Sequence, residues 1–385
     1  MADGAIRIGI AVGEASGDAL GAQLLASLRA VRPDLEVAGV TGRRMQAQGA
    51  VATISLEKLA ERGSAHRRAK HRELARIRAR LVQRWLDERP SLFIGIGAPD
   101  FNLPIARRLK AAGIPTLQYA GPEVWAWRSW RVKRIARSVD RVLTLFPFET
   151  AIYEKAGIHA SFVGHPLADS VPLKVDKAAA RTQLRLPHGR RIVALLPGDR
   201  GAEFATLAEI FVKAARRLHN EMGDAYFVVP AYSREHRELI ETTLRLHADG
   251  DFPLTVLFGH AQEALAAAEV ALVSSGTASL EAALFKTPMV VALRMAAMDW
   301  LARPRSARIA VGLPNLLAAE SLVPEFVQQK VTPWDLAAAV IALLRDTGAR
   351  EQQVARFREL HETLRQNHAQ KACDAVLGML EHANS

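Results

Sequence analysis

Cysteine is almost absent: Cys373 is the one thiol in 385 residues. That excludes a disulfide framework and a cysteine-built metal centre within one chain, and a reducing compartment is the expected setting. No apolar run approaches the ~20 residues that cross a bilayer. The opening stretch MADGAIRIGIAVGEASGD has no basic region followed by an apolar core and a cleavage site. It reads as a first strand, and no signal peptide is expected. The glycine fingerprints of common nucleotide folds are missing too. Neither GEASGD nor GIGAPDF completes G-x-G-x-x-G, and the absence of G-x-x-x-x-G-K-[ST] argues against P-loop chemistry. His66 and His71 are five apart and flanked by arginines, a poor zinc site. No metal and no cofactor is expected. There is no short repeat and no low-complexity tract.

What is present is an ordinary globular composition, 49% apolar and 24% charged, long enough for two or three domains. The net charge of +11 points to anionic partners. It is concentrated in 61–84, ERGSAHRRAKHRELARIRARLVQR, where nine Lys and Arg face two Glu, a net +7.

Short apolar runs alternate with amphipathic stretches. The first series is 6–12, 36–42, 92–97, 116–120, 141–146 and 160–164; the second is 191–197, 225–231, 254–258, 270–275 and 289–293. Near-continuous apolar strands spaced by helices predict parallel sheets covered on both faces. The expected organisation is an α/β N-terminal Rossmann-like domain (1–168), a connection with a short helix inside (169–190), a second Rossmann-like domain (191–345) and a C-terminal helical tail (346–385) packing back on the first domain. The tail region, 333–381, reads as helical with a break near Thr347–Gly348. Two such doubly wound halves are expected to face each other across a cleft. Ligands in open parallel sheets sit beyond the carboxyl ends of the strands, so the loops there matter most.

After the first strand, Glu14, Ser16, Gly17 and Asp18 precede a helix. They suit either a ligand at its N-terminus or a simple cap by Ser16 or Asp18. In VSSGTASLEAAL (273–284), Ser275, Gly276 and Thr277 open a helix suited to a diphosphate, and Glu281 one turn on suits ribose hydroxyls. The competing reading is a cap by Thr277 alone. LLPGDRGAEF (195–204) carries Arg200 in the loop after the first strand of the same half, where a guanidinium suits the same phosphates. Arg294 and Asn315 are further polar candidates downstream. GPEVWAWRSWRVKRIARSVDR (121–141) gathers three tryptophans with Arg and Lys. That mixture fits an acyl or sugar site, a core helix with a basic face, or single-stranded nucleic acid; no RNA-binding module pattern supports the last. His165 follows a strand and reads equally as a substrate contact or a satisfied core histidine.

Ten segments occur in order over nearly the whole chain: GEASGD, RMQAQG, APDFN, VWAWR, PFE, FVGHPLAD, LLPGDRGAE, SGTASLEAAL, PMVVALRM and LPNLLA. By them the sequence resembles the lipid-A-disaccharide synthase family of inverting glycosyltransferases. The resemblance implies a GT-B fold, a UDP-2,3-diacylglucosamine donor and a 2,3-diacylglucosamine 1-phosphate (lipid X) acceptor. It implies UDP contacts at Arg200, Ser275, Gly276, Thr277, Glu281 and Asn315; acceptor contacts are expected at Glu14, Ser16, Gly17, Trp125 and Arg128. It also implies a cytoplasmic protein, peripheral at the inner face of the inner membrane, with no nucleic-acid partner; a homodimer is compatible with it.

Three positions and one segment depart from the family pattern. Gly97 stands where the family has an aspartate linked with catalysis, Glu123 and Asp199 stand where it has serine, and 61–76 is polar where it is apolar. The general base therefore has three candidates, Glu123, Asp100 and His165, and membrane contact through 61–84 would rest on charge. Gly97 leaves open an impaired enzyme. Two alternatives stand beside the transferase: another UDP-sugar enzyme of GT-B type, an epimerase or a transferase with a soluble acceptor, and a non-catalytic protein that binds UDP or anionic lipid.

Overall fold

The apolar runs become parallel strands. The computed structural model describes residues 6–57, 67–121, 130–198, 201–247, 252–302 and 310–384. The first sheet holds β1 (Arg7–Val12), β2 (Glu36–Thr41), β3 (Val51–Ser55), β4 (Leu92–Ile96), β5 (Thr116–Tyr119), β6 (Arg141–Thr144) and β7 (His159–Phe162), in the order β3-β2-β1-β4-β5-β6-β7. The second holds β8 (Arg191–Leu196), β9 (Ala225–Ala231), β10 (Leu254–Phe258), β11 (Val270–Ser274), β12 (Met289–Leu293) and β13 (Glu325–Val327), in the order β10-β9-β8-β11-β12-β13. Each sheet with its helices forms its own unit, residues 1–169 with 364–385 for the first and 170–363 for the second. This is the expected α/β class.

Successive side chains of a strand point to opposite faces, and both faces of each sheet are buried. In β1, Ile8, Ile10 and Val12 join one core cluster with Leu24 and Val376, while Ala11 joins another with Trp85 and Phe93. Central strands buried on both sides read as unbroken apolar runs, which made them visible in the sequence. Helix Ala15–Val31 buries Gly17, Leu20, Gly21, Leu24, Leu25 and Leu28, the stripe expected of an amphipathic helix on a sheet. Helix Arg67–Glu88 buries Leu81, Val82 and Trp85 and exposes Arg72, Arg76, Arg80 and Arg84, four residues apart, along its other face.

All eleven strands read from the sequence are present to within two residues at their ends. The two that the sequence did not show are β3 and β13. Both lie at sheet edges and none of their residues is buried; a half-covered edge strand needs no apolar run.

Of residues 169–190, expected as a connection, all but Asp169 are built into the second unit. Helix Lys177–Gln183 carries buried Arg181, whose guanidinium donates to Ala267 O at 3.0 Å and His188 O at 3.2 Å and pairs with Glu269. Residues 346–385, expected as one tail, divide between the units. Helix Thr347–Leu364 lies almost wholly in the second, and helix His368–Asn384 packs in the first beside Ala15–Val31.

One carboxylate fastens that last helix. Asp169 accepts from the backbone N–H groups of Asn367 (3.0 Å) and His368 (2.6 Å) and meets His368 Nδ1 at 2.6 Å. His368 Nε2 reaches Gln23 Oε1 at 2.9 Å. Burial alone would raise the Asp169 carboxyl, but the hydrogen bonds from the His368 backbone and ring and from Asn367 outweigh it and hold the group below its usual range. A carboxyl depressed by folding stabilises the fold at pH above its unfolded value of about 3.9. That contribution is lost as pH falls through the lower folded value. The chain is therefore expected to melt at a higher temperature than Asp169→Asn at neutral pH, with the gap closing below about pH 4. Melting curves from pH 7 to pH 3 check it, and a gap independent of pH would refute it.

Candidate functional site

The topology fixes where to look. From β1 the chain winds outward through β2 to β3, and from β4 it winds the other way to β7. In the second sheet β8 leads to β9 and β10, and β11 to β12 and β13. The boundaries β1/β4 and β8/β11 are thus the switch points, where loops at the strand ends diverge and leave a crevice.

The first crevice is lined by Gly13–Gly17 after β1 and by Gly97–Asp100 after β4. These loops touch: a Cβ at Gly13 would stand 2.3 Å from that of Ala98, and one at Gly17 3.3 Å from Ile96 O. Glu14 caps helix Ala15–Val31 in extended backbone, with φ −156° and no side-chain cap bond. Glu14 and Ser16 are exposed, and Gly17 is buried. Neither Ser16 nor Asp18 caps this helix. Asp18 instead reaches across to the next loop and accepts from the N–H groups of Gly42 (3.0 Å), Arg44 (3.0 Å) and Met45 (3.1 Å), capping helix Arg43–Ala47.

Gly97 and Ala98 are both left-handed, with φ of 55° and 38°. This turn is held from beneath by two buried amides, since Asn102 Nδ2 and Gln118 Nε2 each donate to Gly97 O at 2.9 Å. Asp100 lies exposed in the first turn of helix Pro99–Ala111, and Arg78 donates to its carbonyl at 3.0 Å.

The second crevice begins at Gly198, where a Cβ would approach Ser274 Oγ to 3.2 Å. The loop leading to Arg200 therefore starts beside the end of β11. Helix Thr277–Leu284 is capped by Gly276, not Thr277; with φ 90° and ψ −140° the cap adopts a conformation reserved for glycine. Ser275 and Gly276 are half-buried, Thr277 is exposed and Glu281 is half-buried one turn on. Gly276 forms a parallel bridge with Gly312. Ser279 Oγ donates to Gly276 O (2.7 Å) and accepts from Leu313 N (3.1 Å).

Asn315 is buried and saturated. Its Nδ2 donates to Val323 O (2.9 Å) and Glu325 Oε1 (2.7 Å), and its Oδ1 accepts from Leu322 N and Val323 N, both at 2.8 Å. Glu325 also accepts from the N–H groups of Val311 and Gly312 at 2.9 Å. Asn315 therefore fixes the loop that steadies Gly276, and its amide has nothing left to offer a ligand. Sequence reasoning missed Ser279, Glu325, Asn102 and Gln118 as supports. Each acts through backbone brought near by folding, and no local pattern marks it.

The remaining candidates separate. Arg294 is exposed, with a long 3.5 Å contact to Val331 O. His165 is buried, stacks on Phe146 with centroids 5.3 Å apart and accepts from Leu167 N through Nδ1 at 3.2 Å. Burial, with the charge of His368, lowers its pKa to about 4 against the opposing pull of Asp169. It is a neutral core histidine, enclosed and with Nδ1 already engaged by Leu167 N, so it is not placed to take a proton from a substrate. Glu123, Trp125, Arg128 and Arg200 lie outside the described residues.

A family model described as lipid-A-disaccharide synthetase matches residues 8–378. The lipid-A-disaccharide synthase of Azoarcus sp. (strain BH72) is 47% identical over 380 residues, covering 98% of this chain and 97% of that protein. That of Azotobacter vinelandii is 47% identical over 382 residues, covering 99% and 100%. Among solved structures, MurG of Acinetobacter baumannii matches with a TM-score of 0.62 at 15% identity, covering 97% of this chain and 99% of that one. The UDP-bound MnaA of S. aureus gives 0.63 at 15%, covering 97% and 95%. These two likenesses show the fold, the GT-B type. Since the match runs from β1 into the last helix and takes in both switch-point crevices, the chain belongs to the lipid-A-disaccharide synthase family.

Proposed function

We propose that the protein is a glycosyltransferase that moves 2,3-diacylglucosamine from its UDP donor to lipid X, giving lipid A disaccharide 1-phosphate and UDP. The observation that carries it is a full-length match at 47% identity to a lipid-A-disaccharide synthase. Nothing favours the epimerase or the non-catalytic reading over it. Gly276, Ser275, Thr277 and Glu281, with Arg200 and Arg294, form the nucleotide side, and Asn315 is a positioning residue there. Glu14, Ser16 and Gly17, with Trp125 and Arg128, form the acceptor side. Exposed N–H groups at a helix start and a guanidinium stabilise a leaving diphosphate as its charge develops. The test is a transfer assay with the two lipid precursors beside a UDP titration. UDP release in the absence of acceptor, or no disaccharide formed with both present, would overturn the reading.

The substrates carry acyl chains, and among the described residues no helix is long and apolar enough to cross a membrane. The stripe Arg72, Arg76, Arg80 and Arg84 supports docking on an anionic bilayer surface. Each Lys or Arg near such a surface contributes up to ~1 kcal/mol. Vesicles containing anionic lipid are expected to bind the chain at low salt and release it toward 1 M, where the screening length shrinks to about 3 Å. Sedimentation with the vesicles measures this. Absence of binding at low salt, or binding that survives 1 M salt, would show that charge is not the anchor.

A further inference from the structure

We propose that Glu14 is the general base that deprotonates the acceptor hydroxyl, working from the space that Gly97 leaves open. This rests on the transferase reading above.

The geometry is local to the first crevice. A Cβ built on Gly97 would find one atom within 4 Å, Glu14 Oε1 at 3.4 Å. The glutamate carboxylate thus sits over the end of β4, where a short acidic side chain on residue 97 would otherwise project. Gly97 is left-handed and held by Asn102 and Gln118, so the vacancy above it is rigidly framed. Glu14 is exposed, and among the described residues its carboxylate makes no hydrogen bond or ion pair. A base must be accessible, uncommitted and mounted on a fixed frame; Glu14 meets all three conditions.

The other charged groups around this crevice are less suited. Asp18 is buried and committed to three backbone N–H groups. Arg78 is a cation engaged at the Asp100 carbonyl. Asp100 points from the first turn of its helix and is not the carboxylate nearest Gly97.

The step balances without a co-reactant. Glu14 takes the proton of the acceptor hydroxyl. The oxygen forms its bond to the anomeric carbon of the donor, the bond from that carbon to the diphosphate oxygen breaks, and UDP leaves with the electron pair. Water then removes the proton from Glu14.

The test is Glu14→Gln, which keeps shape and removes the base. With both lipid precursors, kcat is expected to fall by about 10²–10⁴-fold, with UDP affinity and melting temperature unchanged. The acidic limb of the kcat–pH profile is expected to disappear. A carboxylate returned one loop away, in Glu14→Gln with Gly97→Asp, is expected to restore part of the rate, since aspartate tolerates the left-handed backbone better than most residues. In Gly97→Asp alone, two adjacent carboxylates are expected to move the acidic limb to higher pH by mutual repulsion. If the parent transfers sugar and Glu14→Gln keeps more than a third of its kcat, or if Asp100→Asn alone removes the acidic limb, Glu14 is not the base. If the parent binds UDP but transfers nothing, the transferase reading itself fails and the assignment falls with it.

Discussion

Gly276→Val is expected to raise the Kd for UDP about 100-fold, which corresponds to about 2.7 kcal/mol. Two effects combine. A β-branched residue at φ 90° and ψ −140° is strained, at about 1–3 kcal/mol. The side chain itself would meet no protein atom near its Cβ, so it would occupy the open space before helix Thr277–Leu284. Either the valine blocks the approach of a diphosphate, or the helix start shifts and its N–H groups lose their aim. Glu281→Ala and Arg200→Ala each remove one polar partner, and a hydrogen bond to a charged group is worth about 1.5–3 kcal/mol. Each is expected to weaken UDP by roughly 10- to 100-fold. Titration calorimetry on the three variants, with melting curves to confirm folding, decides the matter. UDP affinity within threefold of the parent in all three would remove the nucleotide from this crevice.

The largest loss of stability is expected from Asp18→Ala. Its carboxylate satisfies three N–H groups at the start of helix Arg43–Ala47, two of those bonds being fully buried. Removing it leaves them without an acceptor, and each buried orphan costs about 1–3 kcal/mol. A total of about 3 kcal/mol or more lowers the melting temperature by roughly 6–12 °C in a unit of this size. Asp18→Asn keeps one acceptor oxygen and is expected to lose less. A melting temperature for Asp18→Ala within 2 °C of the parent would mean that water replaces the carboxylate without cost. The same residue shows why a motif read along the chain misleads. GEASGD looked like a helix cap followed by that helix, yet its aspartate serves the loop after β2.

How much was legible follows the range of the interactions involved. Burial on both faces forces apolar runs of five to seven residues, and β1, β4, β8 and β11 could be read directly. The glycine at 276 was legible as the start of a helix after a strand, because small residues at a strand–helix junction are a local requirement. Edge strands β3 and β13 were not legible, because neighbours cover only part of them.

By itself, then, the sequence determined the α/β class, the two series of strands, the family and the loops that carry polar residues to the strand ends. Each of these depends on residues within a few positions of one another. Tertiary structure alone decided the strand order, and with it the two switch points. It turned Asn315 from a ligand candidate into a saturated support of the Gly276 loop, and His165 into a neutral core residue. It also set the Glu14 carboxylate over Gly97, because β1 and β4 pair side by side and their loops must share one crevice. Proximity between residues so distant along the chain is a property of the register between strands, and no local pattern records it.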